Sequence, residues 1–309
     1  MRAIMYHYVR PGPSSPPFEY YYLHLDDFRR QLDHLASEYE LIDRETFLNC
    51  VAGERPPPEN AVILTFDDGL VDHYEHVLPE LQARGLWGLF FVLGPIENDA
   101  LSVHRVHTLL GTVPAEDVDE ALAEVVDSAE IRDGRTKEFE RMYAESDSDE
   151  ATTRIKRTLN YFLPYERVPD VLNALEERFP EARFDPDELY LAPEQIQALA
   201  DAGMLIGGHT VTHPALSRLS PAEQRAEIDG SIAYAEDAAG DQPIRSFAYP
   251  YGTNETFDDA TLAALREADC DVAFTTEPGD ISARTLESTP LRLPRHDCNE
   301  FPHGDASRY

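Results

Sequence analysis

Strand-like and helix-like segments alternate along most of the chain, and this alternation constrains the fold more than any other feature of the sequence. Apolar runs predict strands, and apolar residues at helical spacing predict helices. Strands are predicted at 3–9, 41–42, 61–65, 88–93, 204–208, 246–249, 272–276 and 291–293, and helices at 25–38, 45–52, 74–84, 193–202, 221–239 and 257–268. We therefore predict an α/β protein with an irregular (β/α) barrel.

The strand pattern disappears between residues 96 and 187. Helices are predicted there at 103–110, 118–127, 136–144, 151–162 and 167–179. A stretch of roughly 90 residues is too long for an ordinary loop. We expect a single domain over residues 1–309 that carries a helical insertion at 96–187.

The charge of the chain limits its partners. It has 26 basic and 59 acidic residues, a net charge of −33, and only two of the basic residues are lysines. Nucleic acid is therefore excluded as an expected partner. A surface this acidic repels itself in dilute buffer and is relieved by salt, so we predict a salt-adapted protein.

Three cysteines at positions 50, 270 and 298 are too few and too scattered to predict a disulfide framework or a zinc ribbon. The N terminus has too short an apolar run for a signal peptide, and no stretch approaches the roughly 20 apolar residues of a membrane span. The sequence predicts a cytoplasmic protein without a membrane span, and it does not predict an oligomeric state.

Two groups of polar residues follow predicted strands. Asp67 and Asp68 follow the strand at 61–65, and His209 and His213 follow the strand at 204–208. One aspartate and two histidines form a common ligand set for a divalent ion, and the second aspartate could act as a base. Together the two groups predict a metal-dependent hydrolase.

Neither group is specific alone. With 59 acidic residues, about 11 adjacent acidic pairs are expected by chance. The aspartates could instead form a helix cap and turn, and the histidines could be one hydrogen-bonded polar residue and one exposed side chain.

Three motifs in one order resemble the polysaccharide deacetylase family, carbohydrate esterase family 4. They are Thr65-Phe66-Asp67-Asp68-Gly69, His209-Thr210-Val211-Thr212-His213-Pro214 and Phe247-Ala248-Tyr249-Pro250-Tyr251-Gly252. The resemblance implies a distorted (β/α)7 barrel and removal of N-acetyl groups from amino sugars. It also implies a divalent metal, zinc first, with Co²⁺, Ni²⁺ or Mn²⁺ as alternatives.

The resemblance also implies roles for individual residues. Asp67 would be the general base, and Asp68, His209 and His213 would be the metal ligands. The backbone amide of Tyr251 would stabilise the developing oxyanion. A plain Pro-Tyr-Gly turn is the structural alternative for the last of these.

The sequence departs from the family pattern at Ala248, where many members carry an arginine that orients the catalytic aspartate. Arg292 and Arg295 are candidates to supply that cation, and surface salt bridges are the alternative for both. Arg295 is also a candidate for substrate binding.

A second departure concerns the general acid. His296 is the candidate, although segment 293–296 is one residue longer than the family motif. Asp271 would match the acidic residue that supports this acid, with a solvated helix end as the alternative.

His7 and Tyr249 are expected to bind substrate. A structural hydrogen bond inside the barrel is the alternative for His7. His104 and His107 open the insertion and could line the substrate cleft, but a zinc site of their own is not expected without acidic or cysteine partners nearby.

The function predicted from the sequence is hydrolysis of the N-acetyl group of an amino sugar, in a glycan or in an activated or lipid-linked sugar. One alternative keeps the site but acts on a non-sugar amide or imide. A second alternative is a catalytically silent glycan-binding protein, which the missing arginine at Ala248 motivates.

Overall fold

A parallel sheet forms the centre of the molecule in the computed structural model, which describes residues 1–13, 16–96, 100–131, 136–143 and 148–306. The sheet contains β1 (Arg2–Tyr6), β4 (Glu40–Leu41), β5 (Ala61–Phe66), β6 (Leu89–Val92), β7 (Leu205–Gly208), β8 (Ser246–Ala248), β9 (Val272–Phe274) and β10 (His296–Asp297). Its order is β10-β1-β5-β6-β7-β8-β9, and β4 pairs with β5. Strands β2 (Val9–Arg10) and β3 (Leu23–His24) form a separate parallel pair.

One chain segment links the two edges of this sheet. Leu293 forms a parallel bridge with Phe274 at the end of β9, and His296 pairs with Ile4 of β1. The curled sheet therefore has the irregular (β/α) barrel architecture that the sequence predicts. This closure also places the residues between Leu293 and His296 beside β1, β5 and β9.

Helices pack on the outside of the sheet, and all but the last of the following lie where the sequence predicts them. They are α1 (Leu25–Glu38), α2 (Arg44–Val51), α3 (Leu78–Arg84), α8 (Pro193–Asp201), α9 (Pro221–Ala239), α10 (Asp259–Glu267) and α11 (Ala283–Ser288). In α1, the His24 side chain accepts a hydrogen bond from the backbone N–H of Asp26 and caps the first turn. Phe28, Leu32 and Leu35 share one buried face of this helix, because residues three and four apart lie on the same side.

Helices also dominate the segment between β6 and α8. They are α4 (Ser102–Thr112), α5 (Ala115–Val125), α6 (Glu150–Arg157) and α7 (Val168–Arg178), and α6 continues as a π-helical turn at Thr158–Phe162. Apolar residues of these helices share one cluster with Tyr8, Leu70 and Leu93 of the barrel. The helical segment therefore packs directly on these residues of the barrel.

Two predicted elements are wrong. In place of a helix at 136–144, a short 3-10 turn covers Phe139–Arg141, and residue 144 lies outside the described residues. In place of a strand at 291–293, a 3-10 turn covers Pro290–Arg292 and the strand follows at His296–Asp297. Short segments carry too few residues for a periodic pattern to identify them, which also explains why β2, β3 and α11 were not predicted.

Adjacent glycines let β7 lie close to its neighbours. A Cβ atom at Gly207 would come within 2.5 Å of the backbone oxygen of Ser246 in β8, and one at Gly208 within 2.7 Å of the Ser231 hydroxyl in α9. The backbone of β8 leaves no room for a side chain at Gly207, and a side chain at Gly208 would displace the Ser231 hydroxyl. Close packing on both sides fixes the end of β7, from which His209 emerges.

Among the described residues, no helix is both long and apolar enough to cross a lipid bilayer.

Candidate active site

The candidate site lies at the carboxyl ends of the parallel strands. Asp67 and Asp68 come directly after β5, and His209 comes directly after β7. In a (β/α) barrel this edge is where loops and strand ends carry the functional side chains. The structure brings the two sequence motifs together here, as the sequence predicts.

The backbone is strained at this edge. Asp68, Thr210, His213 and Tyr251 have φ angles of 76°, 67°, 57° and 61°, in the left-handed region that non-glycine residues rarely adopt. Each such residue costs of order 1 kcal/mol or more, and such strain concentrates at functional sites. The loops after β5, β7 and β8 therefore hold unfavourable conformations at one place.

The side chains of Asp68, His209 and His213 converge. The Oδ1 atom of Asp68 lies 3.3 Å from His209 Nε2 and 3.4 Å from His213 Nε2, and one ligand atom from each residue falls within 4.8 Å of the others. All three residues are buried.

The protonation pattern of this group fits a cation. His209 Nδ1 lies 2.7 Å from the carbonyl oxygen of Ala248 and donates its proton there, so the lone pair of Nε2 in the neutral ring is directed at Asp68. Burial lowers the pKa of His209, but the Asp68 carboxylate outweighs it and raises this pKa. Among the described residues, Asp68 Oδ1 has no hydrogen-bond partner although it is buried. Acceptors that face one another without a donor are costly in a protein interior, and a bound divalent ion would satisfy them.

Burial keeps the imidazole of His213 neutral. Loss of solvation lowers its pKa to about 3, although the nearby Asp68 carboxylate acts in the opposite direction. Burial also opposes ionisation of Asp68, but contacts with His104 and His209 outweigh it and hold the pKa of Asp68 well below its usual range. A neutral imidazole and an ionised carboxylate are the forms that bind a metal ion.

Asp67 is held by an arginine that directly precedes β10. Nη1 and Nη2 of Arg295 donate to Oδ1 and Oδ2 of Asp67, each over 2.7 Å. Arg295 Nε also donates to the carbonyl oxygen of Thr275, and both members of the pair are almost completely buried. Burial disfavours ionisation of Asp67, but the charge of Arg295 outweighs it and lowers the pKa of Asp67.

Arg295 therefore supplies the cation that the sequence lacks at Ala248. Its position in a fully buried bidentate pair does not fit the alternative expectation that it binds substrate. Arg292, the other candidate, lies on the surface near Asp259 and over the ring of Phe257.

His7 lies beside the same carboxylate. Its Nε2 atom is 4.0 Å from Asp67 Oδ2, and 41% of its side chain is exposed, whereas the residues around it are buried. Its backbone oxygen accepts a hydrogen bond from His73 Nε2, which holds the backbone directly after β1. His7 is the imidazole of this cluster with the greatest access to solvent.

Tyr251 borders the metal-ligand group on the other side. Its ring centroid is 4.9 Å from that of His213, and its backbone oxygen accepts a hydrogen bond from the Thr276 hydroxyl. Among the described residues, none accepts a hydrogen bond from the Tyr251 N–H. This amide is therefore free to interact with a substrate.

Three predicted residues lie elsewhere. The two ring nitrogens of His296 lie 2.9 Å from Glu300 Oε2 and 3.1 Å from Asp280 Oδ1. Tyr249 is buried, and its hydroxyl donates to the carbonyl oxygen of Leu291. Asp271 accepts a hydrogen bond from the Arg245 N–H at the start of β9, the end of the strand opposite the site. The structure does not bring these three side chains to Asp67 and Asp68.

One residue next to Asp68 was not assigned to the metal site from the sequence. His104 of α4 is fully buried, and its Nε2 atom lies 3.4 Å from Asp68 Oδ2. From its position at the start of the helical segment, the sequence predicted only that His104 could line the substrate cleft. Nothing in the sequence spacing indicates that α4 turns back onto β5, because that contact is made by tertiary packing.

Sequence comparison places the chain in a known group. The family model described as polysaccharide deacetylase matches residues 54–273, more than two thirds of the chain. The chain belongs to the polysaccharide deacetylase family. Within this range lie both aspartates, both histidines and the Tyr251 loop, whereas Arg295 lies outside it.

A curated relative supports the membership over a shorter range. A chitooligosaccharide deacetylase from Bradyrhizobium sp. (strain ANU 289) is 35% identical over 87 residues, which is 28% of this chain. The match spans 40% of that relative's length. The activity of the relative is therefore carried to this chain only as a proposal.

Solved structures share the fold. The Streptococcus pyogenes deacetylase PplD in complex with acetate has a TM-score of 0.56 at 19% identity, over 96% of this chain and 91% of that one. IcaB from Ammonifex degensii has a TM-score of 0.50 at 20% identity, over the same shares of the two chains. At these identities the likeness establishes the barrel architecture alone.

Replacing Arg295 tests the buried pair. Arg295→Met leaves the Asp67 carboxylate buried without its partner, so we expect the free energy of unfolding to fall by about 3–5 kcal/mol. Urea unfolding followed by circular dichroism measures the change. The control is Arg292→Met, an exposed arginine whose ion pair should contribute less than about 1 kcal/mol. Equal losses in the two variants would contradict a dominant role for the Asp67–Arg295 pair.

Proposed function

We propose that this protein is a metal-dependent hydrolase that removes an N-acetyl group from an amino sugar, in a glycan or in an activated or lipid-linked sugar. The observation that carries the proposal is the convergence of Asp68, His209 and His213, with a second carboxylate beside them that an arginine holds separately. Membership of the polysaccharide deacetylase family supports the reaction type.

Asp68, His209 and His213 would hold the divalent ion. Two nitrogens and one oxygen suit zinc first, with Co²⁺, Ni²⁺ or Mn²⁺ as alternatives. When bound, such an ion polarises the amide carbonyl and lowers the pKa of a water molecule toward about 7. Three protein ligands leave coordination positions open, as hydrolysis requires.

Asp67 would be the general base. Its lowered pKa keeps it ionised near neutral pH, and the bidentate pair with Arg295 fixes its orientation. Each carboxylate oxygen keeps a second lone pair that can accept a proton from water. The role of Arg295 in this reaction is to position Asp67, since the arginine is completely buried.

The Tyr251 N–H would stabilise the oxyanion of the tetrahedral intermediate, because a fixed backbone amide needs no reorganisation when the charge develops. His7 would protonate the departing amine. This replaces the role predicted for His296, because His7 is the partly exposed imidazole beside Asp67, whereas both nitrogens of His296 face carboxylates. The structure leaves Tyr249 in the barrel core, so it is not part of the proposed substrate site.

The pairing of Arg295 with Asp67 argues against the alternative hypothesis of a catalytically silent glycan-binding protein. That alternative depended on the missing arginine at Ala248, and Arg295 now pairs with Asp67 in its place. Hydrolysis of a non-sugar amide or imide uses the same site, and it is separated from the proposed reaction by comparing acetate release with imide ring opening.

We also propose that residues 1–309 form one domain with the helical segment 96–187 as an insertion, and that the protein is cytoplasmic. The sharing of one apolar cluster between the segment and the barrel supports the single domain. The free thiols of Cys50, Cys270 and Cys298 fit a reducing compartment and support the location.

Substitutions at the two aspartates separate the base from the ligands. Asp67→Asn should reduce acetate release from N-acetylglucosamine oligomers by about 10²–10⁴-fold while metal content stays at the wild-type level. Asp68→Ala and His213→Ala should lose both activity and metal, because each removes a ligand. Metal content by mass spectrometry and acetate by enzymatic assay provide the two measurements. Retained activity in Asp68→Ala would refute the assignment.

The general acid is tested by comparing two histidines. His7→Ala should lower kcat by about 10²-fold or more, since it removes the proposed proton donor. His296→Ala is the matched control and should leave kcat near wild type, because its contacts are with Asp280 and Glu300. A large loss in His296→Ala with no loss in His7→Ala would reverse the assignment.

We propose salt adaptation from the charge of −33. Raising KCl from about 0.1 M to 1 M shortens the Debye length from about 10 Å to 3 Å and screens the repulsion among acidic side chains. The thermal unfolding temperature should therefore rise across this series. A maximum in dilute buffer would rule out salt adaptation.

A further inference from the structure

His104 contacts the carboxylate oxygen that the metal-ligand group does not use. The Oδ1 atom of Asp68 faces His209 and His213, whereas Oδ2 lies 3.4 Å from His104 Nε2. His104 has no exposed surface, and its Nε2 has no hydrogen-bond partner among the described residues apart from this longer contact with Asp68. The imidazole is thus aimed at Asp68 alone.

Tyr190 sets the tautomer of this imidazole. Its hydroxyl accepts a hydrogen bond from the Leu101 N–H and lies 2.6 Å from His104 Nδ1. Burial raises the pKa of Tyr190, so the hydroxyl keeps its proton and donates it to Nδ1. The ring proton of a neutral His104 then resides on Nε2 and points at Asp68 Oδ2.

The backbone fixes Tyr190 next to Asp68. Tyr190 forms an antiparallel bridge with Leu70, the Val71 N–H donates to the Leu189 oxygen, and the Leu191 N–H donates to the Gly69 oxygen. The residues directly after the helical segment are therefore hydrogen-bonded to the residues that directly follow Asp68. The beginning of the segment reaches the same carboxylate through His104 in α4.

We propose that His104, oriented by Tyr190, is a positioning residue that holds the Asp68 carboxylate so that Oδ1 faces His209 and His213. This inference rests on the proposed function, in which those three residues bind the metal. A carboxylate fixed through its second oxygen cannot rotate away from the two imidazoles, and groups that orient a metal ligand contribute about 10–100-fold to metal affinity.

Geometry favours this role over direct ligation. The group whose ligand atoms lie within 4.8 Å of one another contains Asp68, His209 and His213. His104 stands outside it, on the far oxygen, and its ring centroid is 6.3 Å from that of His213. The helical segment therefore completes the metal site without supplying a ligand.

Metal affinity of the purified protein tests the proposal without measuring activity. Zn²⁺ affinity is determined by competition with a chromophoric chelator for wild type and for the variants His104→Ala, His104→Gln and Tyr190→Phe. We expect His104→Ala to weaken Zn²⁺ binding by about 10–100-fold. Tyr190→Phe should weaken it in the same direction. His104→Gln should recover most of the loss, because the glutamine Nε2 can donate from nearly the same place.

The matched control is His107→Ala. This histidine lies one turn further along α4 and is hydrogen-bonded to Tyr8 rather than Asp68. Zn²⁺ affinity of this variant should match that of wild type. Thermal unfolding of the metal-free proteins identifies any variant that is misfolded, and His104→Gln decides the outcome if His104→Ala does not fold.

The visible absorption of the Co²⁺-loaded protein separates positioning from ligation. Saturated His104→Gln should keep the wild-type bands, and shifted bands would identify His104 as a ligand and overturn the positioning role. Wild-type Zn²⁺ affinity in His104→Ala, with lost affinity in Asp68→Ala, would also overturn it while the proposed function stands. Unchanged affinity in Asp68→Ala would instead refute the proposed metal site itself.

Discussion

The site depends on two adjacent carboxylates that are buried together and satisfied in different ways. Asp67 and Asp68 are 1% and 4% exposed, and burying an ionised carboxylate is costly unless a partner compensates it. Arg295 forms a bidentate pair with Asp67, whereas Asp68 faces three imidazoles. Arg295 therefore keeps the Asp67 carboxylate ionised and oriented. The Asp68 carboxylate keeps an oxygen, Oδ1, without a hydrogen-bond partner among the described residues, and a cation could bind there.

The segment that closes the barrel carries Arg295, the partner of Asp67. Arg295 lies between Leu293, which bridges to β9, and His296, which pairs with β1. Arg295 directly precedes β10, and only β1 lies between β10 and β5, the strand that leads into Asp67. The arginine that pairs with Asp67 therefore comes from the residue before β10, whereas Ala248 lies in β8.

The helical segment carries His104, which faces Asp68. Its beginning reaches the loop after β5 through His104, and residues 189–191, directly after the segment, reach the same loop through backbone hydrogen bonds. The same segment shares an apolar cluster with Tyr8 and Leu70 of the barrel. Packing of the segment and geometry of the Asp68 side chain are consequently linked, because a displacement of α4 would also displace the imidazole that faces Asp68.

The sequence alone determined the barrel class, the bounds of helices such as α1 and the pairing of the Asp67-Asp68 motif with His209 and His213, because periodicity and strand ends are local patterns. Tertiary structure decided the rest. Arg295, and not Arg292, is the partner of Asp67 in the folded protein. His296 and Tyr249 lie away from the site, and His104 lies next to Asp68. Those contacts join residues from about 36 to more than 200 positions apart, and no local pattern encodes which distant side chains meet when a sheet closes.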